Sequence, residues 1–144
     1  MPVRSEFSDP AAYNDATTAE FRSSKGRVTG DFAGRPLLLL TTTGAKTGLE
    51  RTTPLIYTRD GDSYVVTAAD AGSDKHPGWY YNILANPMVT IEVEDKVYEG
   101  LATEPIGDER DRLYANRIKE TPRFAEYQAK TSRRIPIILL TPDN

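Results

Sequence analysis

The chain has no cysteine among its 144 residues. That excludes disulfides, zinc–thiolate sites and thiol catalysis, and nothing in it asks for an oxidising compartment. His76 is the single histidine, so it has no second imidazole with which to hold a metal. A basic excess is missing as well: 18 Lys and Arg against 21 Asp and Glu leave a net charge of -3, unlike a dedicated nucleic-acid binder. No stretch nears the roughly 20 apolar residues that span a bilayer. The opening MPVRSEFSDPAAYND has no apolar signal-peptide region. These absences predict a cytoplasmic protein with no nucleic-acid partner and no membrane insertion, with peripheral membrane contact left open. The length suits one domain, since domains cluster at roughly 100–150 residues.

What is present centres on residues 37–57, LLLLTTTGAKTGLERTTPLIY. The leucine run reads as a buried strand. Gly44 to Gly48 turn the chain, and a second strand over residues 51–59 returns with Arg51 and Pro54. Pro cannot donate to a ladder, so this strand is expected at an edge or with a bulge. Asp60-Gly61 is a hairpin signal, leading to a third strand over residues 64–68. Strands joined by such short turns must be antiparallel.

Around this centre, Ser8 or Asp9 is placed to cap a helix with Pro10 at its first position. Residues 1–9 read as poorly ordered. Residues 11–24 read as a polar surface helix or arm marked by Ala12, Ala16 and Phe21. After the loop over residues 69–75, His76-Pro77 opens a short helix over residues 78–85, with Trp79, Ile83 and Tyr80 on one face. Val89, Ile91 and Val93 alternate with polar residues as half of a second hairpin. A charged helix over residues 108–119 should face inward with Leu113 and Ile118. A shorter one over residues 123–130 carries Phe124 and Tyr127, and residues 135–140 form a last buried strand. The expectation is a mainly β (α+β) protein: about six antiparallel strands closed, or nearly closed, into a small barrel with peripheral helices.

Gly-Ala-Lys-Thr-Gly invites comparison with a P-loop and fails it, because Ala45 precedes Lys46 and a Pro-bearing strand follows. The surviving chemistry is a Gly-rich turn whose amides form a nest for an anion, with Lys46 and Arg51 adding charge. Taken alone, an ordinary hairpin turn with solvated charges is the simpler reading. Trp79, Tyr80 and Tyr81 are likewise more often core than ligand wall. No Ser-His-Asp set and no paired catalytic carboxylates stand out.

Together the pieces LLLLTTTGAKTGLERTTPL, the Asp60-Gly61 hairpin, TAADAGSDKHPGWYYNILANP and RRIPIILLTP resemble the deazaflavin-dependent nitroreductase family, actinobacterial reductases that use coenzyme F420. The resemblance covers roughly residues 36–142. It implies an antiparallel split β-barrel of the kind that also binds flavin mononucleotide, with residues 1–35 as an N-terminal helix or arm and 36–144 as the barrel of one domain. It implies that Lys46, Thr47 and Arg51 hold the phosphate and acidic tail of the deazaflavin. Pro54, Leu55 and Ile56 would line its path, and the backbone of Thr67, Ala68, Ala69 and Asp70 would approach the ring. Trp79, Tyr80 and Asn82 would complete the pocket, with no metal. Phe124 and Tyr127 would border the substrate. Some members carry a tyrosine where this chain has Phe124 and another aromatic where it has Thr121, which leaves Tyr127 or solvent as proton donor.

The implied reaction is hydride transfer from the reduced deazaflavin to activated double bonds, such as enones and coumarin- or aflatoxin-like lactones, or to quinones, with Phe124 and an N-terminus that lacks an apolar, Trp-bearing start favouring the enones. Two other readings stay open: a non-catalytic carrier of coenzyme F420, and a flavin mononucleotide oxidase of the same fold. Oligomeric state is not legible.

Overall fold

The computed structural model describes residues 9–69 and 72–143. The expectation of poor order over residues 1–9 therefore lies almost wholly outside the described residues. Among the described residues, seven strands form one antiparallel sheet: β1 Leu37–Thr43, β2 Glu50–Ile56, β3 Thr58–Asp60, β4 Ser63–Thr67, β5 Met88–Val93, β6 Lys96–Thr103 and β7 Ile137–Pro142. Four α-helices accompany them: α1 Pro10–Ser23, α2 Gly78–Ala85, α3 Gly107–Glu120 and α4 Arg123–Ala129.

The strand order is β2-β1-β5-β6-β7-β4-β3. Its two outermost strands, β2 and β3, are consecutive in the chain and separated only by Tyr57. Seven strands about 4.8 Å apart would hold flat edges roughly 29 Å from each other, whereas a single linking residue spans about 7 Å. The sheet must therefore curl until its edges meet, which makes the barrel. The one strand expected over residues 51–59 is thus two. Tyr57 leaves the ladder, its amide donating to Pro36 O at 2.9 Å, and β3 pairs with β4 instead. Pro54 sits opposite Leu39 in β2, whose only ladder is with β1, so its missing N–H faces the open edge.

The leucine run is buried on both faces. Leu38 and Leu40 enter the barrel core with Val66, Trp79, Ile91, Ile138 and Leu140. Leu37 and Leu39 pack outward with Phe21 and Val28 beneath α1. β4 and β7 repeat the pattern, with Val65 and Ile137 meeting Leu113 of α3 on the outside.

Asp9 caps α1 by accepting from Ala11 N at 3.0 Å, with Pro10 in the first turn. Ala12 and Ala16 do not mark its inner face. Tyr13, Thr17 and Phe21, four residues apart, are the buried row. In α3, Leu113 is buried as expected and Ile118 only half so. Arg110 and Arg117 complete the inner face, their stems buried and their guanidinium groups on backbone carbonyls.

Candidate active site

Two clefts open beside the seam, and β2 and α2 contribute to both. The smaller, about 490 Å³, is lined by the Gly44–Thr47 turn, Arg51, Tyr81 and Asn82. Its turn is tightly built. Gly44 N donates to Leu49 O at 2.7 Å, Gly48 N to Gly44 O at 2.9 Å, and Leu49 N to Thr47 Oγ1 at 3.2 Å. A Cβ on Gly44 would stand 2.8 Å from Thr47 Oγ1, and Gly48 takes φ +71°.

Ala45 N donates to Asn82 Oδ1 at 3.0 Å, while Asn82 Nδ2 donates to Thr42 Oγ1 at 3.0 Å. Asn82 therefore staples the turn to α2 and β1. The backbone nest expected from the sequence is reduced accordingly, because four of its amides are engaged within the protein. What the turn presents to an anion is chiefly the exposed Lys46 and Arg51 side chains, with the amides of Lys46 and Thr47.

The larger cleft, about 750 Å³, takes Thr53, Pro54, Leu55 and Ile56 from β2 as one wall. Thr67 and Ala69 at the end of β4, and Gly78 and Trp79 of α2, form another. Phe124 and Tyr127 of α4 close a third side, their ring centroids 5.6 Å apart in an edge-to-face pair. Thr67 Oγ1 is buried on this wall without a hydrogen-bond partner. Among the described residues no set of three or more His, Asp or Glu side chains could hold a metal ion.

The structure thus gathers Pro54, Leu55, Ile56, Thr67, Ala69, Trp79, Phe124 and Tyr127 in one cleft, and Lys46, Thr47, Arg51 and Asn82 in the other. Ala68 contributes no side-chain surface, being fully buried. Tyr80 lines neither cleft. Its hydroxyl donates to Glu104 Oε1 at 2.6 Å, and burial together with that bond pushes the phenol up to about 12. Asp70 lies outside the described residues.

Three features of the site are not read from the sequence. The first is a wall from α1 and the turn after it. Tyr13 donates to Asp31 Oδ2 at 3.1 Å and stacks on Phe32 at 6.1 Å, and all three line the larger cleft with Asn14 and Arg35. The second is Arg133. Its guanidinium donates to Ala68 O (3.1 Å), Ala69 O (2.8 Å) and Ser73 O (2.7 Å), and so holds the backbone that borders the cleft. The third is Arg117, only 1% exposed yet lining the cleft. Its Nη1 donates to Val65 O at 3.1 Å and its Nη2 to Ile56 O, its Nε has no partner, and it lies 4.4 Å from the Phe124 ring centroid. Burial lowers its pKa to about 10, which still leaves it charged at neutral pH.

The sequence pattern of the F420H(2)-dependent quinone reductase family matches residues 14–142. The F420H(2)-dependent quinone reductase Rv1261c of Mycobacterium tuberculosis is 42% identical over 129 residues, 85% of each chain. A solved F420-H2-dependent reductase (FDR-A) is 41% identical with a TM-score of 0.68, over 74% of this chain and 94% of that one. A solved domain-swapped dimer is 35% identical with a TM-score of 0.71, over 92% and 99%. The chain therefore belongs to the F420H(2)-dependent quinone reductase family, oxidoreductases whose cofactor is the reduced deazaflavin F420.

Proposed function

We propose that this chain reduces quinones with F420H2, and activated double bonds such as enones or coumarin-like lactones as a second class. The observation that carries the reading is the shared framing of the two clefts. One stretch of chain leads from the cationic turn at Lys46 and Arg51 to the apolar floor at Pro54, Leu55 and Ile56. A molecule with a flat ring at one end and a phosphate with acidic groups at the other matches that order of surfaces.

The bound deazaflavin would supply a hydride, and the acceptor would gain that hydride and one proton. In this reading Lys46, Thr47 and Arg51 hold the tail. Trp79 and β2 hold the ring, and α4 with the α1 wall holds the acceptor against it, excluding water. Phe124 has no proton to give, so Tyr127 or solvent supplies it. Although Phe124 favours enones on the sequence alone, quinones take first place here because the family and the relatives are named as quinone reductases.

Titration with reduced F420, followed by menadione, tests the reading. Binding with reoxidation supports it. Binding without turnover would move the protein to a carrier role.

A further inference from the structure

Among the described residues that line it, the larger cleft has a charge balance opposite to that of the chain. The protein carries a net charge of -3, yet three arginines, Arg35, Arg117 and Arg123, line this cleft. Among the described residues that line it, the one carboxylate, Asp31, accepts a hydrogen bond from Tyr13. None of the ion pairs among the described residues includes any of the three arginines. A surface arginine without a partner is ordinarily just solvated. Arg117 cannot be, because only 1% of its surface meets solvent and its Nε finds no acceptor. Its Nη1 and Nη2 rest on the Val65 and Ile56 carbonyls and the Glu120 charge favours it through space without an ion pair, so a further anion nearby in the same low-dielectric space would stabilise it. Arg35, half-buried, and Arg123, exposed on the first turn of α4, extend that field to solvent.

We propose that the acceptor half of this cleft is an anion-recognising subsite, and that the preferred electron acceptor carries a carboxylate beside its reducible ring. Arg35 and Arg123 meet the carboxylate, and Arg117 holds the inner wall positive behind Phe124. Resting on the reductase reading above, this names the class of its substrate. The acidic tail of the cofactor is the other source of carboxylates. It is served by Lys46 and Arg51 in the neighbouring cleft, which leaves the arginines of the larger cleft to the acceptor.

The test uses two ligands with the same ring: a naphthoquinone bearing a propionate side chain, and its methyl ester. Trp79 is the single tryptophan and lines the cleft, so quenching of its emission reads quinone binding without turnover. The acid should bind about tenfold tighter than the ester at low salt. In 0.5 M salt, and in the Arg35→Ala/Arg123→Ala double variant, that preference should fall below about twofold. Both side chains reach solvent, so the double variant should fold, and its F420 affinity should equal that of the parent. Under turnover the preference should appear in KM.

Equal binding of acid and ester would overturn the subsite. Loss of F420 affinity in the double variant would also overturn it, by assigning these arginines to the cofactor tail. Acid-selective binding with no reduction of either quinone would leave the subsite standing and defeat the reductase reading instead.

Discussion

His76 Nδ1 stands 3.1 Å from Arg133 Nη1, so the imidazole accepts from the guanidinium and carries its proton on Nε2. Arg133 is also the donor to Ala68 O, Ala69 O and Ser73 O. One ring thus completes the clamp on the segment that borders the larger cleft. Tyr80 packs against the ring at a tilt and Tyr81 edge-to-face, with centroids 4.6 and 5.8 Å away.

Protonating His76 places a second cation against Arg133. Burial first, and then the Arg133 charge, hold its pKa below the ordinary 6.5. The unfolded chain therefore binds the extra proton more readily, and stability rises with pH through this window. It is complete above about 6.5, the unfolded value, and declines as pH falls below that. Tm and F420 affinity measured between pH 5 and 8 should fall together on the acid side. His76→Gln, which keeps an acceptor and removes the titration, should flatten both curves.

Lys46→Ala and Arg51→Ala should each weaken F420 binding by about 1–3 kcal/mol, the scale of a lost charge-assisted contact. Both side chains are exposed. Far-UV circular dichroism should not change, and fluorescence titration reads the affinity. A loss of fold in either variant would mean that the turn is structural only.

Tyr127→Phe separates proton donation from packing. The hydroxyl goes while the ring remains against Phe124. If Tyr127 gives the proton, kcat should fall by about 100-fold, the low end for general acid catalysis, with F420 affinity unchanged. An unchanged kcat would assign the proton to solvent. Phe124→Tyr is the reciprocal change and should raise kcat.

Arg117→Ala would empty a fully buried site and strip the carbonyls of Val65 and Ile56 of their donor. Cavity and orphaned acceptors together should lower unfolding stability by about 3–5 kcal/mol, read by urea denaturation. A loss below about 1 kcal/mol would show that the guanidinium adds nothing to the fold.

The strands were legible where periodicity is strong. Val89, Ile91 and Val93 alternate inward as expected, and the leucine run is buried because barrel and α1 cover its two faces. Helix α2 was legible from Pro77 and the Asn86-Pro87 stop. The break at Tyr57 was not, because ERTTPLIYTRD carries no glycine there and the change of partner is decided by sheet closure. The sequence assigns Leu113 and Ile118 to the inner face of α3 and is silent on Arg110 and Arg117, which complete it. Their burial depends on carbonyls of Ile135, Val65 and Ile56 that no local pattern announces. Tyr80 shares a helix face with Trp79 in sequence, yet the position of Glu104, 24 residues on, sends its hydroxyl elsewhere. Likewise α1 read as a surface arm, and only the packing of Phe21 onto β1 brings Tyr13 to the cleft.

The junction at Tyr57 bears on how such a site can diversify. The floor at Thr53 to Ile56 ends where β2 gives way to β3, and Arg117 ties that end, Ile56, to Val65 of β4, the strand next to the far rim. A guest on this floor rests across the meeting line of the two halves of the sheet. Its room is governed by how closely those rims approach. A change at Tyr57, which lines neither cleft, would therefore widen or narrow the chamber as a vice does, by moving its jaws, while every residue touching the guest stays the same.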